Sequence, residues 1–294
     1  MTNNKIKLQH YVPRFYLKRF ANIDGNNHIL DCFDKFEEKQ FNTDVMDIAC
    51  EKFFYDTQDD TEQETEKALS LVEGRFNEYL SKLIKFRDVS KISNEERYFI
   101  SMFIAVQYIR TKENREMLKD SINQLAERLS GENLSPKLAR EIKEAQKDES
   151  IKKMQVRLLR ETPQFADIIY QMKWIIISNG TKTPFWTSDN PVALHNEINQ
   201  WPYGNLGLKC IGIELHLPLT PTLLLVTCDP IAFCREPDKK TLRDFRYIIR
   251  EQSYQVYSST RFIFSNQPNF SFAKKVITEN PKHKDPNRKR IVLS

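Results

Sequence analysis

Apolar side chains recur every three to four positions at Leu69, Val72, Phe76, Leu80 and Leu83, a stripe that predicts a helix over residues 61–86 with Thr61 at its N-cap. Ser93 followed three positions later by Glu96 is a capping box and opens a second helix, running to about Arg110. Two more helical stretches, about 113–130 and 136–160, carry charge on most faces and are broken by Gly131 and Pro136, so they are expected to be exposed. Pro13 suits a first helical turn over residues 14–20. Short β-rich runs surround this helical middle. They are residues 28–33, 41–45 and 52–55 before it, and 173–178, 185–187, 212–217, 223–227 and 261–265 after it, with a helix at 241–257. Asn179-Gly180 signals a hairpin turn. The pattern predicts an α+β fold with a mostly β C-terminal half. It reads as one domain over residues 1–280, an exposed helical insertion at about 113–160 and a basic tail at 281–294.

Composition narrows the classes. Of 294 residues, 40% are hydrophobic and 29% charged, which excludes a disordered chain. No apolar run approaches the roughly 20 residues of a membrane span, and MTNNKIKLQHYVP has no apolar signal core. No membrane association is expected. Five cysteines without a C-x-x-C read as thiols in a reducing cytoplasm. With only seven glycines there is no G-x-G-x-x-G. Gly207 and Gly212 frame a false phosphate loop, because Ile213-Glu214 stands where Lys and Ser/Thr belong. His195-Asn196-Glu197 matches half of a zinc-deaminase signature and lacks the cysteine half. The net charge of +5 is small. It concentrates at Lys282, Lys284, Arg288, Lys289 and Arg290, either a solvated tail or an arm for nucleic acid.

Candidate chemistry comes from polar residues in apolar places. The helix ending at Arg110 is apolar nearly all round, yet Gln107 and Arg110 share a face at its end. Arg cannot shed its charge, so it requires a carboxylate or an anionic ligand, unless it only complements the helix dipole. Glu66 and Glu73 fall on the seam of the preceding helix, about two turns apart, and can face Arg110 across a helical hairpin or lie on its rim. Ser188-Asp189-Asn190-Pro191 is either a turn or a polar cluster aimed into a cleft. Asp189 in such a turn should tolerate Asn at a cost within about 1–2 kcal/mol. His10, before the Pro13 helix, is either a base or a structural imidazole.

These positions coincide with recognisable blocks. Residues 10–20 (HYVPRFYLKRF), Phe53-Phe54-Tyr55, the Glu66…Glu73 helix, Phe103…Gln107…Arg110-Thr111, Thr187-Ser-Asp-Asn-Pro-Val192 and Leu217-Pro-Leu219 resemble a bacterial and fungal family catalogued as domain of unknown function 4238. The likeness runs from residue 8 to about 265, with Lys112 departing from the Pro that tends to follow Arg-Thr. It implies that the polar residues belong to one shared site. It implies no reaction.

The reading that follows is a phosphodiester hydrolase, nuclease-like, acting on nucleic acid. His10, Asp189 and Glu73 would be catalytic. Arg110, Gln107, Asn190 and Ser188 would bind substrate. Glu66, Glu73 and Asp189 would hold Mg2+ or Mn2+. The E-x-K triplets at 37–39 and 141–143 lie outside this set. The alternative is a binding or regulatory module in which the same residues form a structural ion network.

Overall fold

Ser93 accepts a hydrogen bond from the Glu96 amide at 3.2 Å while the Glu96 carboxylate accepts from the Ser93 amide at 2.7 Å, so the capping box forms as the spacing predicts. The computed structural model describes residues 5–60, 62–130, 134–198 and 205–290. Thr61, Gly131 and the last four residues of the basic tail lie outside them.

The chain begins with β1 (Leu8–His10), α1 (Arg14–Leu17), β2 (Asn22–Asp24), β3 (Asn27–Asp34), β4 (Lys39–Asp44) and β5 (Cys50–Lys52). Helices follow: α2 (Glu64–Phe86), α3 (Asn94–Ile109), α4 (Lys112–Leu129), α5 (Pro136–Ala145), α6 (Asp148–Arg160) and α7 (Thr162–Gln171). The C-terminal part holds β6 (Lys173–Asn179), β7 (Thr187–Ser188), β8 (Ala193–His195), β9 (Glu214–Thr220), β10 (Leu223–Cys228), β11 (Lys239–Leu242), α8 (Phe245–Ser258), β12 (Phe262–Ser265) and α9 (Ser271–Glu279). The fold is α+β.

One sheet has the order β11-β6-β10-β9-β8, antiparallel except for β11 beside β6. The second has the order β2-β3-β12-β7, with β4 on the other edge of β3. A ribbon pairs β1 with β5, His10 opposite Cys50. Thus β7 lies in one sheet and β8 in the other, and residues 189–192 are the corner between them.

The main core lies between the helices and the first sheet. Leu69, Phe76, Leu80 and Leu83 of α2 and Ile100, Phe103 and Ile104 of α3 pack in one cluster with Leu215, Leu217 and Leu225 of the strands. The α1 block enters this core. Tyr16 is fully buried, donates its hydroxyl proton to the Pro218 carbonyl at 2.6 Å, and meets Thr187 Oγ1 at 2.8 Å. A buried hydroxyl needs such a partner.

Several features depart from the sequence pattern; β11, for example, takes the start of the helix expected at 241–257, which begins at Phe245. α7 adds a helix at Thr162–Gln171, with Pro163 well placed in its first turn. α9 adds a helix after β12. Asn179-Gly180 turns the chain without a hairpin: Asn179 bonds Thr181 and Thr183 locally, and the following strand, β7, belongs to the other sheet. The stretch 136–160 is two helices, and only α5 is free of buried residues. Gln155 of α6 donates to the Ile109 and Thr111 carbonyls at 2.8 Å each, supplying partners that the end of α3 lacks. That anchors α6 to the body of the protein.

Candidate functional site

Arg110 closes α3 at 2% exposure, and every nitrogen of its guanidinium is engaged. Nε donates to the Tyr55 hydroxyl at 3.0 Å, Nη1 to Glu73 at 3.0 Å, and Nη2 to the His10 carbonyl at 2.6 Å. Burial alone would lower its pKa; Tyr55 and Glu73 outweigh burial and raise it. Gln107, one turn earlier, donates to the Tyr11 carbonyl at 3.1 Å. The α2–α3 hairpin therefore clamps the β1–α1 segment by its backbone.

Three buried polar atoms around this clamp have no partner: His10 Nε2, Glu66 Oε2 and Gln107 Oε1. Burial, then Arg14, depresses the His10 pKa against the pull of the Val45 and Met46 carbonyls, so the ring is neutral near pH 7. Burial raises the Glu66 pKa, with Arg110 opposing. His10, Glu66, Glu73, Gln107 and Arg110 are thus brought together, with Tyr55 in their midst.

Ser188, Asp189 and Asn190 are placed elsewhere. Asp189 is 1% exposed and accepts from the backbone amides of Thr260, Arg261 and Phe262 at 2.8, 2.8 and 2.9 Å. Ser188 Oγ donates to Gln255 at 2.8 Å. Asn190 accepts from Thr111 Oγ1 at 2.9 Å and donates to the Ser258 carbonyl at 3.0 Å. These residues fasten the corner between the two sheets to α8 and, through Thr111, to the residue after Arg110. Their hydrogen bonds explain them without a substrate. Nor do Glu66, Glu73 and Asp189 assemble a metal site. Among the described residues no three His, Cys, Asp or Glu side chains gather to hold an ion. Glu73 is bound to Arg110, and Asp189 is committed to three amides.

The basic tail is not a free arm as far as residue 290. Arg288 and Arg290 reach Glu113 at 2.6 and 3.0 Å, and the Arg290 amide donates to Asp120 at 2.7 Å. Beside them lies Lys35, fully buried, its ammonium on the Val256 and Ser259 carbonyls at 2.8 and 2.7 Å. Burial, then Arg288, depresses its pKa to about 7. Nothing local to Lys35 in the chain reveals this burial.

The open feature of the clamp is a groove of about 590 Å³ between α1 and α2, lined by Arg14, Lys18, Arg19, Glu73, Gly74 and Asn77 among others. Arg19 donates to Asn77 Oδ1 at 2.7 Å and Ser81 Oγ at 3.0 Å and meets no carboxylate; its Nε is buried and unpartnered. Among the described residues, the only side-chain partner of Arg14 is the sulfur of Met46 at 3.0 Å. Among the described residues, none of the three cations has an ion pair. Gly74 sits in mid-helix, and a Cβ there would touch nothing within 4 Å. The alternation of Arg14, Lys18 and Arg19 with buried Tyr16, Leu17 and Phe20 marks this face in the sequence.

A family model described as a protein of unknown function, DUF4238, matches residues 8–282. The chain belongs to the DUF4238 family. Neither a curated protein nor a solved structure matches it. The matched span contains the DUF4238 clamp, the groove and the sheet corner, and stops before Arg288 and Arg290. Among the described residues, no helix is long and apolar enough to cross a membrane.

Proposed function

We propose that this DUF4238 protein binds the phosphodiester backbone of a nucleic acid in the groove between α1 and α2, and that the buried cluster beneath it is the ion network that fixes the groove's walls. The observation that carries this reading is the convergence of Arg14, Lys18 and Arg19 on one groove without carboxylate partners. Unpaired cations in a concave surface attract phosphates through counterion release and charge-assisted hydrogen bonds. Arg110 then acts as a strut, since it is sealed and its donors are occupied. Five free cysteines accord with a cytoplasmic setting for such a task.

A second reading, phosphodiester hydrolysis, is favoured by one observation. His10 Nε2 and Glu66 Oε2 are buried and unpartnered, and their pKa values are displaced in opposite directions. A neutral imidazole and a carboxyl that holds its proton more tightly than usual are the kinds of group that proton transfer uses. In this reading His10 and Glu66 alone would move protons. No step is assigned to Mg2+ or Mn2+, because two of the three carboxylates named for it, Glu73 and Asp189, are otherwise engaged.

Labelled single-stranded RNA and DNA, incubated with the pure protein with and without magnesium or manganese, test both. Retarded but intact oligonucleotide supports the binding module. Cleavage that disappears in His10→Ala and Glu66→Gln supports the hydrolase. Neither binding nor cleavage at low salt rejects the groove as a nucleic-acid site.

A further inference from the structure

A second cavity, of about 410 Å³, opens on the other face of the first sheet, beside α8. That volume is in the range of small-molecule sites. Its floor is apolar: Ile175 and Ile177 of β6 and Val226 of β10, with Phe233 alongside. Gly212 borders it at φ +81°, with the Ile198 side chain 2.6 Å from where a Cβ would lie, so the loop rim is closely packed. No element of the clamp contributes to this cavity.

The charged groups at its polar end sort into satisfied and unsatisfied ones. Glu251 meets His216 Nδ1 at 2.8 Å, and Lys240 pairs with Glu236. Two groups remain. Glu214, 20% exposed, faces His216 Nε2 at 3.6 Å, an ion pair too long for a hydrogen bond, and its carboxylate has no hydrogen bond among the described residues. Arg250 has no ion pair among the described residues; its guanidinium lies 5.5 Å from the centre of the Tyr247 ring. His216 itself is 3% exposed, lines the cavity, and has no hydrogen-bond partner at Nε2. Tyr254 holds that imidazole in place, its ring 4.9 Å from His216 and 4.6 Å from His195. Burial opposes a charge on His216, but Glu251 and Glu214 prevail and lift its pKa to about 9. The ring is therefore an imidazolium near pH 7, and both nitrogens donate.

We propose that this cavity binds a small zwitterion with an apolar body, an α-amino acid with a branched aliphatic or aromatic side chain. The ammonium goes to Glu214, the carboxylate to Arg250 and His216 Nε2, and the side chain to the floor formed by Ile175, Ile177 and Val226. Glu214, whose carboxylate has an ion pair but no hydrogen bond among the described residues, and Arg250, which has no ion pair among them, stand beside an apolar floor and match that ligand. A simple amine would leave Arg250 and the His216 Nε2 proton without an acceptor. A simple carboxylic acid would leave Glu214 without a hydrogen-bond donor.

The test is calorimetric titration of the full chain with L-leucine and L-phenylalanine, beside the half-ligands isoamylamine and isovalerate. The expected result is saturable one-to-one binding of an amino acid, with each half-ligand at least about tenfold weaker because it lacks one charge-assisted contact. Arg250→Gln, on an exposed part of α8, should weaken amino-acid binding to a similar degree while leaving the melting temperature unchanged, and Glu214→Gln should do the same to the ammonium contact. No binding of either amino acid at millimolar concentration overturns the proposal. So does equal affinity for a half-ligand, or undiminished affinity in Arg250→Gln.

Discussion

Arg110 and Glu73 meet at 3.0 Å across the α2–α3 hairpin, but they are not equally buried: the Arg110 side chain is 2% exposed and that of Glu73 29%. Removing the carboxylate strands a sealed cation, whereas removing the cation leaves a carboxylate that water can reach. Glu73→Ala should therefore cost about 3–5 kcal/mol, reduced by what Glu66 supplies, and Arg110→Met less. Adding Arg110→Met to Glu73→Ala should recover stability. Urea denaturation of the three variants checks this, and additive losses in the double variant would contradict it.

Asp189 is expected to resist substitution more than its place in a Ser-Asp-Asn-Pro turn implies. Asn would point an amide donor at backbone donors of residues 260–262, leaving at least one of them unsatisfied. Asp189→Asn should cost about 2–4 kcal/mol, above the 1–2 kcal/mol range of an ordinary turn position. A melt within the ordinary range would show that the three amides do not hold the corner.

Asp189 also marks where legibility in the sequence ends. The capping box at Ser93 and Glu96 and the α2 stripe are local patterns, and both form. So does the meeting of Arg110 with Glu73, because a charge that cannot be shed on an apolar helix leaves few alternatives. The partners of Asp189 lie more than seventy residues away, and those of Lys35 on α8 and the turn after it are more distant still. No spacing announces such contacts. Pro163 stands in the first turn of α7, and proline, which stops a helix interior, also opens helices, so the residue alone does not decide between the two.

Gly74 offers a separation of packing from ligand access. Glycine in a helix interior costs roughly 0.5–1 kcal/mol relative to alanine, and among the described residues no atom beyond its chain neighbours and the backbone of its own helix lies within 4 Å of where a Cβ would be. Gly74→Ala should raise stability by about that amount. Gly74→Leu should fold and yet weaken oligonucleotide binding by filling the groove. Undiminished binding in Gly74→Leu would place the ligand elsewhere.

His216 should make stability depend on pH with a definite sign. Its folded pKa of about 9 exceeds the ordinary 6.5, so the stabilisation from its carboxylates is fully present below about pH 6.5 and is lost as pH rises through 9. The amount is on the order of 3 kcal/mol. Lys35 acts oppositely: its pKa is lowered from 10.5 to about 7, which adds stability as pH rises across that interval. The difference between wild type and His216→Gln isolates the histidine. It should shrink between pH 6.5 and 9, and a constant difference would contradict the pairing.

The most direct test of the groove is the salt dependence of binding to a labelled single-stranded oligonucleotide, measured by fluorescence anisotropy for wild type and for the triple variant Arg14→Ala, Lys18→Ala, Arg19→Gln. Each phosphate neutralised on a single strand contributes about 0.7 to the slope of log affinity against log salt. The account predicts that the triple variant, melting near the wild-type temperature, loses about 2 from that slope. An equal slope in the two proteins, or no wild-type binding at low salt, would contradict it.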